Sequence, residues 1–210
     1  MINLRNYEQL QKWTTLKETS KNSPNKATVI YMVESDFEVI DFDEVKNCYI
    51  SELGVKVLET PKSNDALFEL NGELYFVEFK DGNMQKEIHN VKRKIYDSLL
   101  IFCDIVKENI SFTRQHMNYI LVYNKEKSEE YIKSIIKKSE KQPKQLDKTE
   151  QNDTPSFDDF VENMKELSDS ELDIFGLEKQ FKNLYFKNVF TYNKERFIEK
   201  FVNQLPSNIS

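Results

Sequence analysis

Glycine, histidine and cysteine are all scarce in this chain of 210 residues, which has four glycines, two histidines and two cysteines. No P-loop and no dinucleotide-binding glycine fingerprint occurs, which argues against a nucleotide-binding enzyme. His89 and His116 have no second histidine or cysteine at ligand spacing, so a zinc site is not expected. Cys48 and Cys103 both lie in apolar-periodic runs, which favours buried free thiols and a reducing, cytoplasmic location.

Long apolar runs are absent as well. No stretch reaches 18 consecutive apolar residues, so no membrane span is expected, and residues 1–13 lack the apolar segment of a signal peptide. The net charge of −6 argues against coating nucleic acid by bulk attraction, although a local basic patch remains compatible with it. Apolar residues still make up 39% of the chain, which is enough for one good-sized core.

The hydrophobic patterning predicts an α/β domain, a polar break and a helical tail. Helical periodicity recurs at four places before the break, namely 4–16, 43–53, 84–106 and 126–138. Runs of β-forming residues occupy three further segments, namely 28–33, 55–59 and 117–123. We therefore divide the chain into an α/β core at 1–138, a polar linker or disordered loop at 139–156, and a helical C-terminal region at 157–210.

The strongest local signal lies in the stretch SNDALFELNGELYFVEFKDG, at residues 63–82. Asn71-Gly72 separates two β-rich runs, and this dipeptide favours a type I′ turn because both central residues need a positive φ. We place the two strands of this hairpin at 65–70 and 73–80. A long helix then begins after Asn83, a good N-cap residue.

Two carboxylates and an amine are expected at one end of this hairpin. In the register set by the turn, Asp65 lies opposite Glu78, and Lys80 shares their face of the sheet. Like charges so placed repel each other, and a divalent cation such as Mg²⁺ or Mn²⁺ compensates them. The ammonium adds a charge that can orient water or stabilise a developing phosphorane. The simpler alternative is that Asp65 is a turn residue and that the other two are solvated edge positions.

Asp65, twelve intervening residues and then Glu78-Phe79-Lys80 on a strand resemble the PD-(D/E)xK motif of the restriction-endonuclease-like superfamily. The following helix and strand also fit its α-β-β-β-α-β core, over roughly residues 40–123. The resemblance implies a mixed central sheet flanked by helices, here with a helical C-terminal appendage. It also implies that Asp65 and Glu78 are metal ligands, that the Phe79 carbonyl is a further ligand, and that Lys80 is the catalytic lysine.

Two further positions bear on the resemblance. Asn64 stands where the motif often has proline, a position that varies in the superfamily. Many members carry an extra acid on the first core helix, and Glu52 is the candidate here because it falls in the apolar stripe of the 43–53 helix. The alternative is that Glu52 lies near the helix end and turns to solvent. The stretches DAL, EFKDG and KIYDSL also resemble small bacterial proteins, and that likeness implies no activity.

A basic segment follows the motif at 80–94, with five lysine or arginine residues against two acids. It is a candidate contact surface for a nucleic-acid backbone, and an ordinary solvated helix face is the alternative. The candidate residues are Lys86, His89, Lys92, Arg93, Lys94 and Tyr96, with Gln85 as a weaker one.

Two functions follow from these observations. The first is a nuclease that uses Mg²⁺ or Mn²⁺ to cleave phosphodiester bonds, with DNA as the favoured substrate. The second is a catalytically silent module of the same fold that acts through protein–protein contacts, as in defence or immunity proteins. The C-terminal helices could serve a homodimer or a protein partner. Their aromatic residues are expected in the core more than at an interface, namely Tyr185, Phe186, Phe190 and Tyr192.

Overall fold

The computed structural model describes residues 2–25, 28–140 and 173–205. The strands, in chain order, are β1 (Trp13–Thr15), β2 (Lys21–Asn25), β3 (Thr28–Tyr31), β4 (Glu38–Asp41), β5 (Ala66–Leu70), β6 (Glu73–Lys80), β7 (Met117–Tyr123) and β8 (Asn188–Asn193). The described helices are α1 (Leu16–Thr19), α2 (Phe42–Leu53), α3 (Met84–Val106), α4 (Ile110–His116), α5 (Lys125–Glu140), α6 (Leu177–Phe181) and α7 (Lys194–Lys200). Short 3₁₀ helices occupy Leu4–Asn6, Glu8–Leu10 and Val202–Gln204.

Six strands form one mixed sheet in the order β1-β4-β5-β6-β7-β8, and β2 pairs with β3 separately. The first four strands of this order are antiparallel to their neighbours, whereas β6, β7 and β8 run parallel. A parallel pair needs a crossover connection, and α3 supplies it between β6 and β7. The predicted α/β class, with a mixed central sheet flanked by helices, is confirmed.

The β5–β6 hairpin has the turn and the register that the sequence predicts. Asn71 and Gly72 have φ values of 52° and 78°, as a type I′ turn requires. Leu70 pairs with Glu73, and Ala66 pairs with Val77, so the two strands match over their shared length. The register of the hairpin therefore follows from the turn dipeptide alone.

Side chains of β6 alternate between two apolar clusters, one on each face of the sheet. Leu74 and Phe76 lie in the cluster that contains the inner faces of α2 and α3. Val77 and Phe79 lie in the opposite cluster, together with residues of α1 and α7. By this alternation Glu78 is on the α3 side, where it is wholly buried.

The α3 helix covers that face and positions its side chains by regular capping. The Asn83 side chain accepts a hydrogen bond of 2.9 Å from the Gln85 amide, and Lys107 ends the helix in the left-handed conformation. Val91 and Ile95 are completely buried and fix the helix against the sheet. The predicted helix over 84–106 and the predicted strand over 117–123 are both confirmed.

Two predicted elements in the first half of the chain are wrong. The 4–16 segment is two 3₁₀ turns followed by β1, because Trp13 pairs with Ile40 at the edge of the sheet. The 55–59 segment is an exposed loop rather than a strand, and Leu58 is fully exposed. In the 4–16 segment, pairing with β4 overrides the local helical period. The 55–59 segment has a strand-like composition but no neighbouring strand to pair with among the described residues.

The C-terminal region is not an all-helical appendage. Its strand β8 pairs with β7 in parallel and extends the central sheet, so residues 173–205 belong to the core. Phe186 is completely buried, which agrees with the expected core packing of the aromatic residues. Residues 141–172, which include most of the predicted linker and the first part of the predicted tail, lie outside the described residues.

Two smaller expectations concern the cysteines and the membrane. Cys48 and Cys103 are free thiols, as expected, although each is half-buried rather than buried. None of the described helices combines the length and the apolar character that crossing a membrane requires.

Candidate functional site

The carboxylates of Asp65 and Glu78 converge on one cation, the ammonium group of Lys94. Lys94 Nζ lies 3.0 Å from Asp65 Oδ1, 2.7 Å from Glu78 Oε1 and 3.0 Å from Glu78 Oε2. Asp65 immediately precedes β5, Glu78 is in β6, and Lys94 reaches them from α3. The register of the hairpin thus brings the two acids together, as the sequence predicts.

Lys80 provides the second cation of the group. Its Nζ lies 2.9 Å from Glu78 Oε1 and 3.8 Å from Glu87 Oε2. The side chain projects from the end of β6 onto the same face as Glu78, because the two positions are two residues apart. The predicted amine beside the acid pair is therefore present.

Main-chain hydrogen bonds fix the Asp65 end of the pair. The Phe79 amide donates a bond of 2.7 Å to Asp65 Oδ2, and the Asp65 amide donates one of 3.1 Å to the Val77 carbonyl. The Asn64 amide donates a bond of 2.8 Å to Ser98 Oγ on α3. Proline at position 64 could not make that bond, which gives a physical reason for the departure from the motif.

The pair is held in a strongly perturbed electrostatic environment. Burial, and after it the negative charge of Asp65, raises the pKa of Glu78 from 4.5 to about 7, against the opposing effect of the two lysines. Burial acts to lower the pKa of Lys94, but the charges of Glu78 and Asp65 outweigh it and raise that pKa. The site therefore holds two acids and two ammonium groups in close contact.

A cleft of about 470 Å³ opens onto part of this group. Asp65, Phe79, Lys80 and Glu87 line it, whereas Glu78 and Lys94 are not among its lining residues. Its remaining walls come from the β2 end of the small sheet and from the ends of β6 and α5, namely Ser20, Lys21, Asn22, Met32, Asp81, Gly82 and Lys127. Of the two acids and two lysines in contact, the cleft therefore exposes Asp65 and Lys80, whereas Glu78 and Lys94 lie behind them.

Comparisons with protein-family models, with curated proteins and with solved structures give no match.

The carboxylate oxygens of Asp65 and Glu78 are ligands of the type that hard divalent cations prefer. Mg²⁺ and Mn²⁺ prefer oxygen ligands, and the two carboxylates already converge on a single positive group. Across residues 2–25, 28–140 and 173–205, no three histidine, cysteine or acidic side chains gather into a metal-binding group. A metal here would depend on Asp65 and Glu78, with main-chain oxygen or water completing its coordination.

Glu52, predicted as an additional acid of the site, does not reach it. Its side chain is exposed and accepts a hydrogen bond of 2.9 Å from Gln9 Nε2. Asp41 of β4 pairs with Ala66, so the first turn of α2 lies beside Asp65. Glu52 is in the last turn of the same helix, roughly 14 Å further along its axis. The prediction is wrong because the register between β4 and β5 was not visible in the sequence.

Asp43, in the first turn of α2, is the acid that the sequence reasoning missed. Burial acts to raise its pKa, but a hydrogen bond from Ser63 and the charges of Lys46 and Lys94 lower it. The charge of Lys94 thus reaches a third carboxylate. Asp43 lies in the first turn of the helix that follows β4. Recognising β4 in the sequence would have placed Asp43 beside Asp65.

Tyr119 is a second missed residue. It is fully buried on β7, and its hydroxyl has no hydrogen-bond partner within the described part of the chain. Burial, followed by the charges of Glu78 and Asp65, raises its pKa well above the usual value. Its neutral hydroxyl therefore lies within the electrostatic range of the acid pair.

The predicted basic patch is not one continuous surface. Lys86, His89 and the weaker candidate Gln85 are exposed on α3, and Lys92 is half-buried. Lys94 belongs to the acid pair instead of the helix surface. Lys94 therefore does not lie on that surface, because it stands three residues after Val91 and four before Ser98 on the inward stripe of α3. Contact of the other residues with nucleic acid stays a prediction.

Arg93 and Tyr96 are engaged in contacts within the chain. Arg93 pairs with Glu59 and Asp97. The Tyr96 ring lies 5.2 Å from that of Phe181, and its hydroxyl accepts a hydrogen bond from Gln180. These two residues connect α3 to a loop and to the C-terminal segment.

Proposed function

We propose that this chain is a divalent-metal-dependent nuclease with a restriction-endonuclease-like core, which hydrolyses phosphodiester bonds and favours DNA. The observation that carries the proposal is the convergence of Asp65 and Glu78 on one cationic group, with Lys80 beside them at an open cleft. The resemblance to the PD-(D/E)xK motif points to the same three residues. Two carboxylates at such short range are typical ligands of Mg²⁺ and Mn²⁺.

Each residue has a role in this proposal. Asp65 and Glu78 would hold the metal, and the Phe79 carbonyl is the candidate for a further protein ligand. When bound, the metal would neutralise phosphate charge and lower the pKa of a water molecule. Lys80 lines the cleft and can orient the attacking water or stabilise charge on the phosphate. Hydrolysis forms a bond from water oxygen to phosphorus and breaks the phosphorus–oxygen bond to one sugar, whose oxygen takes a proton.

Cleavage assays test the proposal. The protein would be incubated with plasmid, linear and single-stranded DNA and with RNA, in Mg²⁺ or Mn²⁺. We expect metal-dependent cleavage that falls by roughly a hundredfold or more in Asp65→Asn and Lys80→Met, because each variant removes a group acting at the reacting centre. Lys107→Met is the matched control, because Lys107 is exposed and pairs only with Asp104 among the ion pairs described. Cleavage that persists in both site variants would discard the assignment.

The second candidate function is a catalytically silent module that binds a protein partner. The observation in its favour is that Lys94 already contacts three of the four carboxylate oxygens of the acid pair and that the Phe79 amide donates a hydrogen bond to the fourth, Asp65 Oδ2. Such a site is complete without a metal. Calorimetry that shows no binding of Mg²⁺ or Mn²⁺, together with no cleavage of any substrate, would favour this function.

A further inference from the structure

We propose that Lys94 is the resident cation of the acid pair, and that a divalent metal binds Asp65 and Glu78 only by displacing its ammonium group. The inference rests on the proposed function, since it concerns the same two carboxylates. It assigns Lys94 a role different from that of Lys80, although both lysines contact Glu78.

The contacts of Lys94 occupy the space between the two acids. An ammonium group has three donors, and Lys94 Nζ lies within 3.0 Å of three carboxylate oxygens, Asp65 Oδ1 and both oxygens of Glu78. Its side chain is only 15% exposed. The group is therefore fixed by its contacts and enclosed by the fold, as a bound metal ion would be.

Each carboxylate oxygen of the pair lies within contact distance of an amide or an ammonium group, although Glu78 Oε1 contacts Lys94 Nζ at 2.7 Å without hydrogen-bond geometry. Asp65 Oδ2 accepts from the Phe79 amide at 2.7 Å, and the other three oxygens contact Lys94. Glu78 is completely buried, so it presents no second, solvent-facing edge to an incoming ion. A metal that bridges both acids must consequently take the place of the ammonium.

Lys80 does not stand in the same position. It contacts a single oxygen of the pair, Glu78 Oε1, and it lines the cleft. It can keep its place at the cleft while a metal bridges the acids. The charge of Lys94 lowers the pKa of Asp43, so Asp43 is a third carboxylate close enough to interact with the ammonium group after its displacement.

Titration calorimetry with Mn²⁺ on the full chain tests the inference. Lys94→Met keeps the length of the side chain and removes the competing charge, so we expect it to bind Mn²⁺ at least about tenfold more tightly than the unaltered protein. Lys80→Met is the charge-matched control, and we expect a clearly smaller change. It also removes a positive charge beside Glu78, but it does not vacate the position between the carboxylates.

Thermal unfolding gives a second readout that does not depend on binding heat or activity. In a chelator Lys94→Met should unfold at a lower temperature than the unaltered protein, because two acids lose their counter-ion. Added Mn²⁺ should raise its unfolding temperature more than that of the unaltered protein. Lys94→Gln, whose shorter neutral amide retains a donor, replaces Lys94→Met if the latter does not fold in a chelator.

The outcomes separate this inference from the proposed function. If the protein cleaves nucleic acid but the Lys94 variants bind Mn²⁺ no more tightly than Lys80→Met, the inference is overturned and the function stands. If the Lys94 variants bind Mn²⁺ tightly while the unaltered protein neither binds nor cleaves, the inference is supported and the function fails. If no form binds Mn²⁺, both are overturned.

Discussion

At the scale of single residues, Glu78 is the one buried charged side chain within the described part of the chain. Its carboxylate is completely buried, between the apolar residues Val77 and Phe79 of β6 and beside a second acid. Removing an ionised carboxylate from water is costly unless cations and hydrogen bonds compensate it. Lys94 and Lys80 provide that compensation in part, and the pKa of Glu78 nevertheless remains raised to about 7.

This raised pKa predicts a pH-dependent stability. The folded state binds the proton of Glu78 more tightly than the unfolded chain does, because the pKa of this carboxyl is 4.5 when unfolded. The stabilisation that proton binding contributes is therefore complete below about pH 4.5. It is lost as the pH rises through about 7. In a chelator, the unfolding free energy of the unaltered protein relative to Glu78→Gln should therefore fall by about 3 kcal/mol across this range.

Denaturant titrations at several pH values measure this difference. Glu69→Gln is the matched control, because Glu69 is exposed on the neighbouring strand β5. The difference in unfolding free energy between the unaltered protein and Glu69→Gln should change little with pH. A difference for Glu78→Gln that is flat, or that grows with pH, would contradict the assignment of the perturbed group.

The sequence identifies some of these residues and not others, for a physical reason. The Asn71-Gly72 turn fixes which residues of the hairpin face each other, so the meeting of Asp65 and Glu78 is predictable. Lys94 joins them from α3, and its contact depends on how that helix lies across the sheet. The helical spacing places Lys94 on the inward face of α3, but local patterns do not tell where along the sheet that face lies.

At the scale of elements, the site depends on the hairpin and on the start of α3. The Asn83 side chain caps this helix by accepting the Gln85 amide, and Lys94 follows about three turns later. Any fraying of the first turns would loosen the segment that carries Lys94. The cap therefore supports the site indirectly.

Asn83→Ala tests this support. Loss of the cap should lower the unfolding free energy by about 1 kcal/mol, as measured by chemical denaturation. Asn90→Ala is the control, because Asn90 is an exposed residue inside the same helix, where alanine has the higher helix propensity. Equal losses in the two variants would contradict the capping role.

Elements with strong local signals are those that the sequence predicts correctly. The tight turn, the sustained apolar period of α3 and the fully buried β7 each determine their own conformation. The short strands β1, β4 and β8 become strands by pairing with a neighbour, and their sequences do not identify that neighbour. The mistaken position of Glu52 follows directly from the missed strand β4.

At the scale of the whole molecule, one sheet unites segments that are distant in the chain. Its antiparallel half supplies Asp65, its central strand β6 supplies Glu78 and Lys80, and β8 of the C-terminal region completes its parallel half. The helical spacing of the apolar residues near the C-terminus predicts a separate helical tail. Pairing of β8 with β7 overrides that local preference, so the tail contributes to the core instead.

The most direct test of the account is an anomalous-scattering map from crystals soaked in Mn²⁺. We predict a single strong peak within coordination distance of the carboxylates of Asp65 and Glu78, with the Lys94 ammonium moved away from the position between them. An empty position with Lys94 still bridging the two acids in saturating Mn²⁺ would contradict the account.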